Sequence, residues 1–291
     1  MKRKLGTALN NLYKKKDQWW LLTGSIIFLL LWVWDRLFLN APALRFLQIG
    51  FLNTLIISTL VILISLILAW VIIQKMFFFR GRNWAWAELL LTFFLNLIRS
   101  IPQIVGVLLG YVLITILLQL SILTASWQTL LLMAAIIALF VFLELVDLMQ
   151  ERITFYQSLD FYNAMKVCGI SSFRIINFNI LWKNSRGHIL NKLIALFGVS
   201  IFLQCSVDFI ISVGLSTKVS ALNLPVTLGS LLAKIDSKQD ILAIGYSFSH
   251  PARLSRLFLQ HLQGISVAFS IVFLLIMIYK ISNGYAERHR L

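Results

Sequence analysis

Apolar residues fill six stretches of the chain, at 19–39, 51–73, within 84–120, 127–148, 188–213 and 262–281, and polar residues collect between them. The runs are continuous and lack the two-residue alternation of membrane strands, so each predicts an α-helix and none suggests a barrel. At a rise of about 1.5 Å per residue, about 20 residues cover roughly 30 Å of hydrocarbon. The pattern therefore predicts an all-α integral membrane protein with about six transmembrane helices. The stretch 84–120 is too long for one straight crossing. Either it tilts steeply, or 84–96 lies along the interface and the chain turns inward near Pro102.

Between the fourth and fifth runs lies a polar, basic island, FYNAMKVCGISSFRIINFNILWKN, at 161–184. Phe161, Ala164, Met165 and Cys168 recur at three- and four-residue spacing, which predicts a short amphipathic helix over 159–167. Gly169 adopts positive φ without penalty and allows a sharp exit. Ser171 or Ser172 then offers an N-cap for a second helix through Phe178. Such a hairpin suits docking into a groove on a partner; the plainer reading is an interfacial helix resting on headgroups.

Composition agrees with the pattern. With 59% hydrophobic and 13% charged residues and a mean hydropathy of +0.87, the chain lies far from soluble globular proteins. Its net charge of +15 comes from basic residues flanking apolar runs, which signals topology and anionic headgroups, not nucleic acid. One side collects Lys2, Arg3, Lys4, Lys14, Lys15, Lys16, Lys75, Arg80, Arg82, Arg152, Lys166, Arg174, Lys183, Arg186, Lys280, Arg288 and Arg290. The other holds Arg36, Arg45, Lys218, Lys234, Lys238, Arg253 and Arg256. The positive-inside rule therefore puts both termini and the segment 149–187 in the cytoplasm. Trp19, Trp20, Trp34, Trp84, Trp86 and Trp127 fall near run ends, as an aromatic belt would. The basic N-terminus mimics a signal peptide, but 19–39 is too long for an h-region and no small-x-small site follows cleanly. It is expected to be a retained first helix. Residues 1–50 then hold a cytoplasmic segment, that helix and a short outer loop at 40–50. Residues 51–291 form the core, with an outer loop at 214–261 whose apolar middle is expected to form short helices packed on the outer face.

Candidate chemistry is sparse. Cys168 and Cys205 make no disulfide framework, and His188, His250, His261 and His289 are scattered, so no metal site is expected. Glu144, Asp147 and Glu151 lack a histidine at usable spacing, which argues against an enzyme acting on lipid; Glu144 and Asp147 are expected to be solvated at the interface. Ionisable groups at membrane depth are functional candidates. Arg99 would line a substrate path or pair with Glu88, Glu144, Asp147 or Asp208. Asp208, one turn after Gln204, would attract a cationic peptide terminus or a metal, pair with Lys218, or be solvated. Arg99, Gln204 and Asp208 are thus the candidate path residues. Asn53, Ser58 and Ser65 are expected to make interhelical hydrogen bonds.

The island resembles the cytoplasmic coupling motif of permease subunits of binding-protein-dependent ABC importers. There, Glu-Ala-Ala, three residues and Gly precede a His-Ile-Leu-Pro-Asn-like ending. Here Asn163-Ala164-Met165, three residues and Gly169 precede Asn179-Ile180-Leu181-Trp182-Lys183. Ala164, Gly169, Ile180 and Leu181 match; Asn163, Met165 and Trp182 replace the acidic residue, the second alanine and the proline. Asp160 is expected to restore the missing charge and to cap the helix. NTLIISTL at 53–60 resembles the start of the family's membrane core, and Arg99-Ser100-Ile101-Pro102 its Arg-x-x-Pro stretch. SVDFIISVGL at 206–215, TLGSLLAK at 227–234 and the ending ISNGYAERHRL are similar to the dipeptide, oligopeptide and nickel branch. Coverage is about residues 50 to 290, with the branch's long outer segment after the first span shortened to 40–50.

The resemblance implies a type I ABC importer permease fold in a bacterial inner membrane. It implies a second permease subunit, two ATPase subunits that bind ATP and Mg, and an extracytoplasmic substrate-binding protein. This chain would bind no cofactor itself, and it has no GxxxxGK[ST] motif. Coupling would run through Asp160, Asn163, Ala164, Met165, Gly169, Ile180 and Leu181. The cargo implied is a di- or oligopeptide; a nickel chelate, an amino acid, a phosphonate, or a non-transport scaffold or channel role are the alternatives.

Overall fold

The computed structural model describes residues 15–82, 84–214, 224–234, 242, 245–247, 249–253 and 262–289, and among these it is helical with no strand. In chain order the helices are α1 Lys16–Phe38, α2 Ala41–Gly81, α3 Ala85–Ser100, α4 Gln103–Gln119, α5 Ser126–Gln157 and α6 Asp160–Val167. Then come α7 Ser172–Arg174, running on as a π-helix over Ile175–Asn184, α8 Arg186–Gly214, α9 Leu228–Leu232 and α10 Leu262–His289. Five helices, α1, α2, α5, α8 and α10, are long and apolar enough to cross a membrane. Counting α3 with α4 as one broken span makes six. The chain is a multi-pass, all-α membrane protein.

The long third stretch resolves into the second of its two expected forms. Ile101 is extended (φ −87°, ψ 124°) ahead of Pro102, as the proline ring demands of its predecessor, and α3 and α4 meet at 93°. Leu95 is the one buried residue of α3, while Trp86, Leu89, Leu90, Phe93 and Phe94 face outward, so α3 is laid across the end of the bundle and not threaded through it.

At α2 the structure departs from the expected loop at 40–50, because the helix already begins at Ala41. Pro42 sits in the first turn, where its missing N–H is not needed, and the Asn40 side chain caps the helix by accepting from the Ala43 N–H at 3.0 Å. At 41 residues α2 is roughly 60 Å long, about twice the hydrocarbon thickness.

α2, α5 and α8 form the centre, with α4 against α5 and α8, and α10 between α8 and α1. Ile57, Val61, Ala69, Ile137, Ala138, Val141 and Val207 are buried in this core. Ser58 and Ser65 lie on the buried face of α2, but their hydroxyls have no partner, contrary to the expected interhelical bonds. They are small residues where α2 meets its neighbours, and size alone accounts for them there. Asn53 does bond across, donating to the Val226 carbonyl at 2.8 Å. Lys16 pairs with Glu287 at 2.6 Å and Arg288 with Asp17 at 3.0 Å, so α1 starts where α10 ends. The start of α1 and the end of α10 therefore lie together at one end of the bundle.

Candidate functional site

The island folds as a hairpin at the far end of α2. α6 is closed by two backbone bonds, Gly169 N–H to the Lys166 carbonyl at 3.1 Å and Ile170 N–H to the Met165 carbonyl at 3.2 Å. With Gly169 at φ +76°, this is a Schellman ending, and Ile170 and Met165 both pack against the core. Ser171 takes the extended N-cap conformation of α7, without a side-chain bond. Asp160 does not cap α6 either. Leu159 holds the cap position, so Asp160 falls in the first turn, where its charge still favours the positive end of the helix.

Beyond α7 the helix does not stop at Phe178; it widens into the π-helix and runs to Asn184. Four residues of this segment, Ile175, Ile176, Ile180 and Leu181, are buried in the core. They fall in two pairs five residues apart, which an i→i+5 helix keeps on one face. Ile180 and Leu181, expected to contact a partner, are therefore the anchor of the hairpin. Asn177 ties it further to α2: its Oδ1 accepts from Trp70 Nε1 at 2.9 Å and from Gln74 Nε2 at 2.6 Å. Its Nδ2 donates to the Phe173 carbonyl at 2.9 Å.

The outward side mixes large apolar side chains with basic ones, Lys166, Arg174 and Lys183 being exposed as well. Val167 is 88% exposed, Trp182 68%, Phe173 61% and Phe178 54%, with Phe161 beside them. Ala164, Gly169, Asn163 and Asp160 are also exposed, whereas Met165 is partly covered. Exposed large side chains on a rigidly anchored element form the kind of patch that marks an interaction surface.

A second feature is a row of charges on the α5 face. Arg99 from α3 pairs with Asp147, and Lys192 from α8 pairs with Glu144 at 2.7 Å. Gln103, the first residue of α4, donates to the same Glu144 at 3.1 Å. Glu144 and Asp147 are three residues apart, hence on one face of α5. They are ion-paired rather than simply solvated as expected, because the bend at Pro102 carries Arg99 and Gln103 to that face. The pairs are still open, with side chains between 31% and 55% exposed.

Gln204 and Asp208 do not join Arg99. They lie under α9, at the other end of α2, where Asp208 is 7% and Gln204 0% exposed. Thr227 donates its hydroxyl to Asp208, and its Oγ1 accepts from the Ser230 N–H at 3.2 Å, capping α9. The Leu228 N–H donates to Thr54 Oγ1 at 3.0 Å. Asp208 is thus buried and not solvated, and Lys218, its expected ion-pair partner, lies outside the described residues. The Gln204 amide stands beside the carboxylate without completing a hydrogen bond. α9 is close-fitting: a Cβ at Gly229 would come within 2.6 Å of the Cys205 carbonyl oxygen and 2.8 Å of Asp208 Cβ. The apolar middle of the 214–261 loop does yield a short helix, but one wedged between α2, α8 and α10 and not laid on top of them.

Among the described residues no group of His, Cys, Asp and Glu is placed to hold a metal ion. No protein-family model matches the chain, and no curated protein matches it either.

Proposed function

We propose that the chain is the membrane-spanning permease subunit of an ATP-driven ABC importer of a bacterial inner membrane, carrying di- or oligopeptides inward. The observation that carries this reading is the anchored hairpin with its exposed large apolar side chains. A helix resting on headgroups needs no interior anchor, whereas a lever that transmits force needs both a grip and a firm attachment. Ile175, Ile176, Ile180, Leu181 and Asn177 supply the attachment; Phe161, Val167, Phe173, Phe178 and Trp182 supply the grip. An ATPase subunit docked there, on the cytoplasmic side, would move the hairpin, and the hairpin would move α2 and α5, against which it packs.

The charge row on α5 supports the same reading. Arg99 and Asp147, half exposed, and Glu144 and Lys192, about one-third exposed, belong against water or a polar subunit surface, not against acyl chains. In an importer that surface is the path shared with a second permease. A binding protein would deliver cargo at the α9 end, and ATP and Mg would be held by the two ATPase subunits. Solubilisation of the native complex in mild detergent tests the assembly: two nucleotide-binding subunits and a sister permease should co-purify, and reconstituted peptide uptake should require ATP. A solitary homo-oligomer that conducts solute without ATP would make the chain a channel subunit instead.

A further inference from the structure

The geometry points to a binding site for the phosphate headgroup of an anionic phospholipid, in a cavity of about 610 Å³ between the end of α2 and the α6–α7 hairpin. Lys75, Arg80 and Lys166 line it, and among the described residues no Asp or Glu does. Arg80 is already engaged: both its Nε, at 3.2 Å, and its Nη2, at 2.8 Å, donate to Glu88 Oε1. Lys75 and Lys166 form no ion pair among the described residues and are exposed. Two cations from different elements thus line one cavity in which the nearby carboxylate, Glu88, is taken up by Arg80, a setting that favours an anion.

The walls decide which anion. Phe77, Phe78 and Phe173 line the same cavity, so the occupant carries apolar surface next to its negative charge. The height in the membrane agrees. Lys75 lies just past the apolar run 51–73 of α2, after Gln74, and Trp70, 44% exposed and bonded to Asn177, sits between one and two turns earlier at the level an interfacial tryptophan occupies. Headgroup phosphates lie at this depth. The volume is within the range of about 300–1,000 Å³ typical of ligand sites. A lipid seated here would bridge α2 and α6 through Lys75 and Lys166, and so stiffen the hairpin from below. The site needs no ATPase on the hairpin, so its test is independent of the importer reading.

Full-length protein would be placed in phosphatidylcholine nanodiscs doped with phosphatidylglycerol, and retained lipid counted by native mass spectrometry. The wild type should retain one phosphatidylglycerol that the Lys75→Gln/Lys166→Gln double variant holds roughly 30-fold more weakly. Lys75→Arg/Lys166→Arg should keep it, and so should Arg174→Gln, which removes an exposed charge of the hairpin outside the cavity. Equal retention by the double glutamine variant would overturn the site. So would equal loss in Arg174→Gln, which would mean unspecific attraction. Displacement of the lipid by inorganic phosphate would assign the cavity to free phosphate, and displacement on assembly with an ATPase would assign it to an acidic protein segment; either outcome sinks the lipid.

Discussion

α2 holds a short helical element at each end, and the two are built on opposite plans. α9, at its start, turns its polar groups inward: Thr227 to Asp208, Leu228 N–H to Thr54, Asn53 to Val226. Leu228, Gly229 and Leu231 are all buried as well. The hairpin at the other end is anchored mainly by apolar side chains, Ile175, Ile176, Ile180 and Leu181, with Asn177 bonded to α2, and it exposes Phe161, Val167, Phe173, Phe178 and Trp182 among charged residues such as Lys166, Arg174 and Lys183. Paired polar groups fix one arrangement, the Gln204 amide apart. Unmatched apolar surface is a contact with one half missing. The difference separates a closed joint from an open one, and each variant below should disturb one and spare the other.

The largest effect is expected at Gly229. A valine there would press a branched Cβ against the Cys205 backbone, which cannot yield as a flexible side chain would, so α9 should lift off α8. Overpacking of this kind costs about 3 kcal/mol, or more than about 100-fold in local opening. Cys205 is buried beneath α9 and reports the opening directly. In a Cys168→Ser background, which removes the exposed thiol, Gly229→Val should make Cys205 react readily with a maleimide. Hydrogen exchange in the hairpin should stay as it was; a parallel rise there would mean that the two joints are one.

Next comes Thr227→Val, which keeps the shape and removes the hydroxyl. Asp208 loses its donor and α9 loses its cap, together about 1–3 kcal/mol. Cys205 labelling should rise roughly tenfold or more, and Thr227→Ser should return it to the wild-type rate. If Thr227→Val labels like the wild type, the hydroxyl does not hold the joint closed.

The third effect falls on the open joint. At Gly169 nothing stands within 4 Å of an added Cβ, so a substitution meets strain of the backbone and no clash. A valine at φ +76° costs about 1–2 kcal/mol and should shift the exit of α6. Uptake of labelled dipeptide by cells should fall to background, while the protein remains inserted and Cys205 stays protected. Gly169→Asn, which tolerates positive φ, should retain most of the uptake. Normal transport by the valine variant would remove the hairpin from the mechanism.

How much of this was legible in sequence follows the same division. The hairpin turn was, because a Schellman ending is local: Met165, Gly169 and Ile170 lie within six residues and need no distant partner. The bend at Pro102 was legible for the same reason. The π-helix was missed, although Ile175 with Ile180 and Ile176 with Leu181 repeat at five residues; a search for three- and four-residue spacing passes over that signal. The α9 joint was out of reach. Thr54 and Leu228 are 174 positions apart, and nothing near Asp208 says that a threonine beyond the span will fold back on it. The start of α2 was misplaced because 40–50 lies between two apolar runs and reads as an outer loop, when a capped first turn accepts Pro42.

The smallest effects offer the sharpest test, because two asparagines on the two joints can be exchanged in role. Asn53 holds the approach to α9 through one bond to Val226, and Asn177 holds the hairpin through Trp70 and Gln74. Each bond is worth about 1 kcal/mol, or roughly fivefold in local opening. Asn53→Ala should raise Cys205 labelling by that factor and leave hairpin exchange unchanged. Asn177→Ala should do the reverse, with a somewhat larger factor because it frees two donors on α2 and not one carbonyl. A crossed pattern means that force applied at the hairpin reaches α9 only through α2 as a whole, the rigid-body arrangement a lever requires. Should either variant loosen both ends equally, α2 would be a soft element, and motion at the hairpin would be lost before it crossed the membrane.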